Sequence, residues 1–178
     1  AARAVACALD ISKSLWKDDG SIKIGLGAGE PVSKSDELFG DTIERTLHMC
    51  DINKQQGVVM SPEVAELMAN NFVSERHKNL LILSAKEDSL LRDLYSHLEH
   101  NWQNPTFGVA ALCDAMAMTK STLYRETINV CGISTISLVK DFRLDKAKAL
   151  LRKNGHNISE ITFSSGFTRP SYFTKCFK

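Results

Sequence analysis

The chain has 178 residues, 43 % of them hydrophobic, enough for one or two small domains with real cores. No run of about 18 apolar residues is present to span a membrane, and a formal net charge of +1 says little by itself about a nucleic-acid partner. Taken in two parts, residues 1–87 hold 10 Lys and Arg against 13 Asp and Glu, whereas residues 88–178 hold 12 against 8, so the basic excess belongs to the second half.

Residues 1–14, rich in Ala, are predicted helical. Residues 21–29 read as a strand running into a Gly-rich corner, 41–53 as a helix and 57–60 as a short strand built on the β-branched pair Val58-Val59. Ser61-Pro62 opens a helix to about Asn70, with Ser61 as N-cap and Pro62 at the first helical position. A charged, mixed stretch follows, in which residues 80–83 fit one more strand. Alternating strands and helices predict an α/β layer. From about Glu87 the pattern is helical throughout, with Leu90, Leu91, Leu94 and Leu98 at helical spacing until Asn104-Pro105 stops it. The predicted fold class is therefore α+β: an α/β fragment over residues 1–85, then an all-α domain over residues 86–178.

Two helix-turn-helix signatures lie in the all-α part, at residues 109–130 and 158–178. They match at a shift of 49 residues through the turn and 50 after it. Val109 and Leu112 pair with Ile158 and Ile161, Ala117-Met118-Thr119-Lys120 with Gly166-Phe167-Thr168-Arg169, and Leu123-Tyr124-Arg125 with Phe173-Thr174-Lys175. In the first motif, Val109, Leu112 and Met116 form the expected buried stripe, Thr119 caps the second helix, and Leu123 and Ile128 face inward. Lys120, Ser121, Tyr124 and Arg125 are left outward on its N-terminal half, the half that meets base edges in the major groove. Gly132 closes that helix as a C′ residue. Residues 134–152 contain no Gly or Pro and predict a linker helix about 28 Å long, with Ile136, Val139, Phe142 or Arg143, Ala147 and Leu150 on one face. Asn154-Gly155 breaks the chain before the second motif. Its core is expected from Ile158, Ile161, Phe173 and Phe177, and its outward residues are Ser171, Tyr172, Thr174 and Lys175, with Arg169 just before the helix in reach of a phosphate.

At these residues the chain resembles the AraC/XylS family of bacterial transcription regulators. The likeness is carried by Met118-Thr119-Lys120-Ser121-Thr122-Leu123-Tyr124-Arg125 with Gly132, by Arg143-Leu144 with Ala147, Leu150 and Leu151, and by Ile161, Gly166-Phe167 and the segment from Ser171 to Lys178. The Leu-Tyr-Arg form of the first reading helix is similar to the subgroup attached to sensory or two-component proteins. The resemblance implies sequence-specific binding of double-stranded DNA through the outward residues of both reading helices. RNA polymerase is a further expected partner and no cofactor is expected, while five cysteines without a CxxC pair fit a reducing cytoplasm.

In residues 1–70, the G-x-G-x-G spacing of Gly25, Gly27 and Gly29 has no Lys-Ser/Thr after it. It matches neither a phosphate loop nor a dinucleotide fingerprint, and glycines for close backbone approach are expected instead. The segments from Ile22 to Pro31, Leu38-Phe39-Gly40-Asp41-Thr42-Ile43 and Gly57-Val58-Val59-Met60-Ser61 resemble the C-terminal half of a class III nucleotide cyclase domain. That family carries an Asn and an Arg four apart on the helix after the Gly-Asp pair, and the matching positions here hold Glu44 and His48. A carboxylate repels a triphosphate, and His is a poor substitute for the Arg fork. The resemblance thus implies a non-catalytic, sensory or dimerising domain, with a homodimer as its assembly and no catalytic residues. The alternative function is a nucleotide-binding sensor or cyclase-related enzyme working through this part.

Cys7, Cys50, Cys113, Cys131 and Cys176 include no CxxC pair, so neither a disulfide framework nor a zinc knuckle is expected. His97 and His100 stand three apart with no further ligand nearby in sequence, and no metal is expected. The chain lacks an initiator Met and a secretory signal and stops inside the second reading helix, so it reads as a piece of a longer protein.

Overall fold

The computed structural model describes residues 1–15, 22–29, 32–34, 37–52, 57–68, 80–153 and 157–177. The expected strand start at Ser21, the helix ends at Asn53 and Asn70, and the break at Asn154-Gly155 lie outside them. The fold is mostly helical, with a small three-stranded parallel sheet. It divides into two compact units, residues 1–92 with 130–132 and residues 93–129 with 133–178.

The first unit opens with helix α1 (Ala2–Leu15), whose Val5, Ala8, Leu9 and Ser12 are buried along one stripe. Strands β1 (Ile24–Leu26), β4 (Val58–Met60) and β5 (Leu80–Ile82) form the sheet in the order β1-β4-β5, with Gly25 opposite Val59 and Val59 opposite Leu81. All three residues of the central β4 are buried, as a strand covered on both faces requires. A β2 (Val32–Lys34) and β3 (Glu37–Phe39) hairpin, absent from the sequence reading, leads into α2 (Asp41–Asp51). Helix α3 (Pro62–Met68) follows β4, with the Ser61 hydroxyl 3.5 Å from the Val64 amide at the expected cap. Val5, Ala8, Leu9, Val58, Met60, Val64 and Met68 make the core on one face of the sheet, with Ile24 and Leu26 against it.

Gly25, Gly27 and Gly29 point the other way, onto α2. A Cβ at Gly25 would stand 2.6 Å from the Thr46 carbonyl oxygen, while one at Gly27 or Gly29 would overlap the hydroxyl of Thr46 or Thr42. The glycine row therefore serves helix–strand contact, as its spacing suggested. Nearby, Arg45 of α2 joins two other elements. Its Nη2 donates to both Glu63 carboxylate oxygens (2.9 and 2.8 Å) and its Nε to Asp88 Oδ1 (2.7 Å). Arg92 Nη2 donates to Asp88 Oδ2 at 2.9 Å, completing the compensation of a carboxylate whose side chain is only 4 % exposed.

Helix α4 (Ala85–Asn101) starts two residues before the expected Glu87, because Ser84 and Glu87 form a capping box. The Ser84 amide donates to Glu87 Oε2 (2.8 Å) and the Glu87 amide to Ser84 Oγ (3.3 Å). Leu90, Leu91, Leu94 and Leu98 are buried as their spacing predicted. The second unit continues with α5 (Val109–Ala115), α6 (Lys120–Cys131), α7 (Thr135–Arg152), α8 (Ile158–Ser164) and α9 (Pro170–Cys176). Ser134 caps α7 through a bond from the Ser137 amide (3.2 Å). Asn157 and Glu160 form a full capping box on α8.

Candidate nucleic-acid interface

The two helix pairs α5–α6 and α8–α9 turn in the same way, bond for bond. The Ala117 amide donates to Asp114 O (3.2 Å) and the Met118 amide to Cys113 O (3.0 Å). Forty-nine residues on, the Gly166 amide donates to Phe163 O (3.0 Å) and the Phe167 amide to Thr162 O (3.1 Å). Ala117 and Gly166 both take the left-handed backbone, at φ 50° and 74°. The second turn uses glycine, for which that conformation carries no Cβ strain, and the first uses alanine, which bears some.

Each turn aims a helix whose buried side is narrow. In α6, Leu123 is fully buried and Thr119 caps the N-terminus, its Oγ1 accepting from the Thr122 amide at 3.2 Å. Gly132, at φ 68°, closes the helix in the left-handed conformation expected of a C′ residue. In α9, Phe173 is buried, Pro170 occupies the first turn, and the Phe167 ring meets the Phe173 ring edge-on at 5.1 Å.

All nine residues singled out from the sequence, Lys120, Ser121, Tyr124, Arg125, Arg169, Ser171, Tyr172, Thr174 and Lys175, have exposed side chains. The Arg125 side chain is 67 % exposed, with Glu126 Oε1 3.7 Å away. Tyr172 leans on Phe167, with ring centroids 6.1 Å apart, and a hydrogen bond with Cys176 raises its phenol above the ordinary tyrosine range. Thr174 Oγ1 donates to the Pro170 carbonyl (3.0 Å).

Several expected core positions differ. Ile128 is only half-buried, and the neighbouring Thr127 takes the interior site, donating to Leu123 O (2.6 Å) and accepting from Thr135 Oγ1 of α7 (3.2 Å). Val109 and Met116 are half-buried, while Cys113 and Phe107 are buried beside Leu112. Of the face expected on α7, Val139, Phe142 and Ala147 are buried and Leu150 is half-buried, but Ile136 is 66 % exposed, and Leu138 and Leu144 are buried as well. In the second motif Ile158 and Phe177 are exposed, and Thr162 lies inside with Ile161, its hydroxyl donating to Ile158 O (2.7 Å). A β-branched threonine that returns its hydroxyl to the preceding turn fills an apolar site without an unmet donor, which hydrophobic periodicity alone does not detect. Arg143 was missed as well. Its Nε donates to Trp102 O and its Nη2 to Asn104 O and Phe107 O. The hints were its place on the expected inner face of the linker helix and the Arg143-Leu144 pair within the family resemblance.

Residues 112–178 match a family model described as a helix-turn-helix domain. They form a helix-turn-helix domain of AraC type. Among curated relatives of this domain, the transcriptional activator RhaS of Escherichia fergusonii is 28 % identical over 106 residues, covering 60 % of this chain and 38 % of that protein. Histidine kinase P4 of Formosa agariphila is 30 % identical over 98 residues, covering 55 % of this chain and 7 % of that one. The chain thus spans well under two thirds of either relative. Among solved structures, the C-terminal domain of the response regulator yesN from Fusobacterium nucleatum is similar at 22 % identity and a TM-score of 0.47, covering 53 % of this chain and 94 % of that one. None of these findings supports the cyclase resemblance of residues 1–70, and no activity is carried to the chain from it. Among the described residues, no helix is long and apolar enough to cross a membrane.

Proposed function

We propose that the chain is a sequence-specific, DNA-binding transcription regulator that sets α6 and α9 into successive major grooves. The observation that carries this is the repeated turn, each copy followed by a helix with an exposed polar and basic face. The unbroken α7 between them has 18 residues, about 27 Å at the usual helical rise. Adjacent turns of one duplex face lie about 34 Å apart, a span that a rod of this length bridges with its flanking helices.

In this reading Arg125 takes a guanine edge bidentately, Lys120, Arg169 and Lys175 meet phosphates, and the hydroxyls of Ser121, Tyr124, Ser171, Tyr172 and Thr174 contact bases or sugar-phosphate. Residues 86–178 are assigned to DNA reading and residues 1–85 to sensing or dimerisation, with RNA polymerase as a downstream partner. The crowding of Gly25, Gly27 and Gly29 against Thr42 and Thr46 supports a structural use of the glycine row over a nucleotide site. A mobility-shift titration against a duplex library tests the proposal. Folded protein that binds no duplex at low salt defeats it. Calorimetric titration with ATP, GTP and cyclic nucleotides tests the alternative, which needs micromolar binding lost on changing Glu44 or His48.

A further inference from the structure

One side chain near the middle of α7 reaches both the approach to the first motif and the turn of the second. Arg143 donates from Nε to Trp102 O (3.0 Å) and from Nη2 to Asn104 O (2.8 Å) and Phe107 O (2.7 Å), all carbonyls of the segment that leads into α5. Gly166, the turn of the second motif, lies on the same guanidinium. A Cβ there would stand 2.9 Å from Nε and 3.2 Å from Cζ, and would overlap the Trp102 carbonyl oxygen. Desolvation pulls the Arg143 pKa below the ordinary arginine value, in keeping with a cation enclosed by carbonyls.

We propose that Arg143 is a positioning residue for DNA reading, tying the approach to the first motif and the turn of the second to one point of α7 and so fixing the spacing at which α6 and α9 meet a duplex. This rests on the regulator reading above. The planar fork suits the task because its donors leave in fixed directions, while lysine offers one compact ammonium on a flexible stem. The demand on geometry is strict. One base pair of extra spacing shifts a half-site by about 3.4 Å and turns it by roughly 35°.

The test uses the full chain as wild type, Arg143→Lys, Gly166→Ala and Ile161→Val. Each is titrated against the duplex that wild type selects from random-sequence DNA, and against versions with the spacing between the two contacted segments changed by one or two base pairs. Wild type is expected to lose roughly tenfold in affinity per base pair. Arg143→Lys is expected to lose about threefold or less per base pair while keeping its affinity for each segment alone. Gly166→Ala presses on the same guanidinium and should flatten the profile too. Ile161→Val thins the second motif's core and should keep the wild-type profile, which separates positioning from general loosening. A sharp profile retained by Arg143→Lys or by Gly166→Ala, or one equally flattened by Ile161→Val, overturns the inference and leaves the regulator reading standing. A folded wild type that selects no duplex overturns both.

Discussion

Arg125 and Lys175 occupy matching places in the two motifs, and their exposed charges should fail differently when removed. Arg125→Ala is expected to weaken specific binding by about 1–3 kcal/mol and to relax preference at one base position, as loss of a bidentate guanine contact does. Lys175→Ala should weaken all sequences alike. Fluorescence-anisotropy titrations on matched and single-base-changed duplexes distinguish the two patterns, and unchanged affinity in both variants refutes the assignments. In the other unit, burial pushes the Glu63 carboxyl up, but hydrogen bonds from Ser61 and Arg45 outweigh it and bring the carboxyl down to about 2. The unfolded value is about 4.3. Because the folded pKa is the lower one, the stabilisation is complete above the unfolded value and is lost as pH falls toward about 2. Urea unfolding should therefore find Glu63→Gln less stable than wild type at pH 7, with the gap closing on acidification. A gap that widens in acid contradicts the ion pair's role.

The elements themselves were largely legible, because helical periodicity and capping signals are local. The seams between elements were not. The Ser61 and Thr119 caps, the glycine row and the matching turn residues could be read from spacing, whereas the Ser84–Glu87 capping box was not and moved the start of α4 by two residues. Thr127, Thr135 and Thr162 were invisible as interior residues, since a polar side chain enters a core only where a particular carbonyl or hydroxyl meets it, and that partner is set by tertiary structure. The same holds for Arg143, whose three acceptors lie 36 to 41 residues away in sequence. Of the candidate interface, the outward residues followed from the helix period, whereas the groups that aim the helices did not. The turn offers a test at this scale. Ala117 bears a left-handed backbone at φ 50° where its counterpart is glycine. Ala117→Gly should raise stability by about 0.5–1 kcal/mol, the relieved strain exceeding the entropy that glycine adds to the unfolded chain. A lowered melting temperature argues against strain in the first turn.

At the scale of the whole molecule, the near-neutral total conceals a useful asymmetry, with the surplus of basic residues confined to residues 88–178. Attraction to DNA must come from that half, so binding should depend steeply on salt. The logarithm of the binding constant is expected to fall with the logarithm of salt concentration by about 0.9 for each phosphate neutralised. Three phosphates, one for each of Lys120, Arg169 and Lys175, set a slope of about −2.7 as the upper bound for these side chains alone. Titrations from 50 to 200 mM salt supply the measurement. A slope near zero points to a protein partner for the helical unit.

The glycine row against α2 has an evolutionary corollary. At Gly27 the obstacle is the Thr46 hydroxyl alone, since the Thr46 Cβ would lie 3.5 Å from an added methyl, an ordinary contact distance. Gly27→Ala by itself should destabilise the first unit by about 1–3 kcal/mol, yet Gly27→Ala with Thr46→Ala should restore most of that loss, a strongly non-additive pair in a thermal-unfolding cycle. Among homologous chains, then, bulk at position 27 and a hydroxyl at position 46 should seldom coexist.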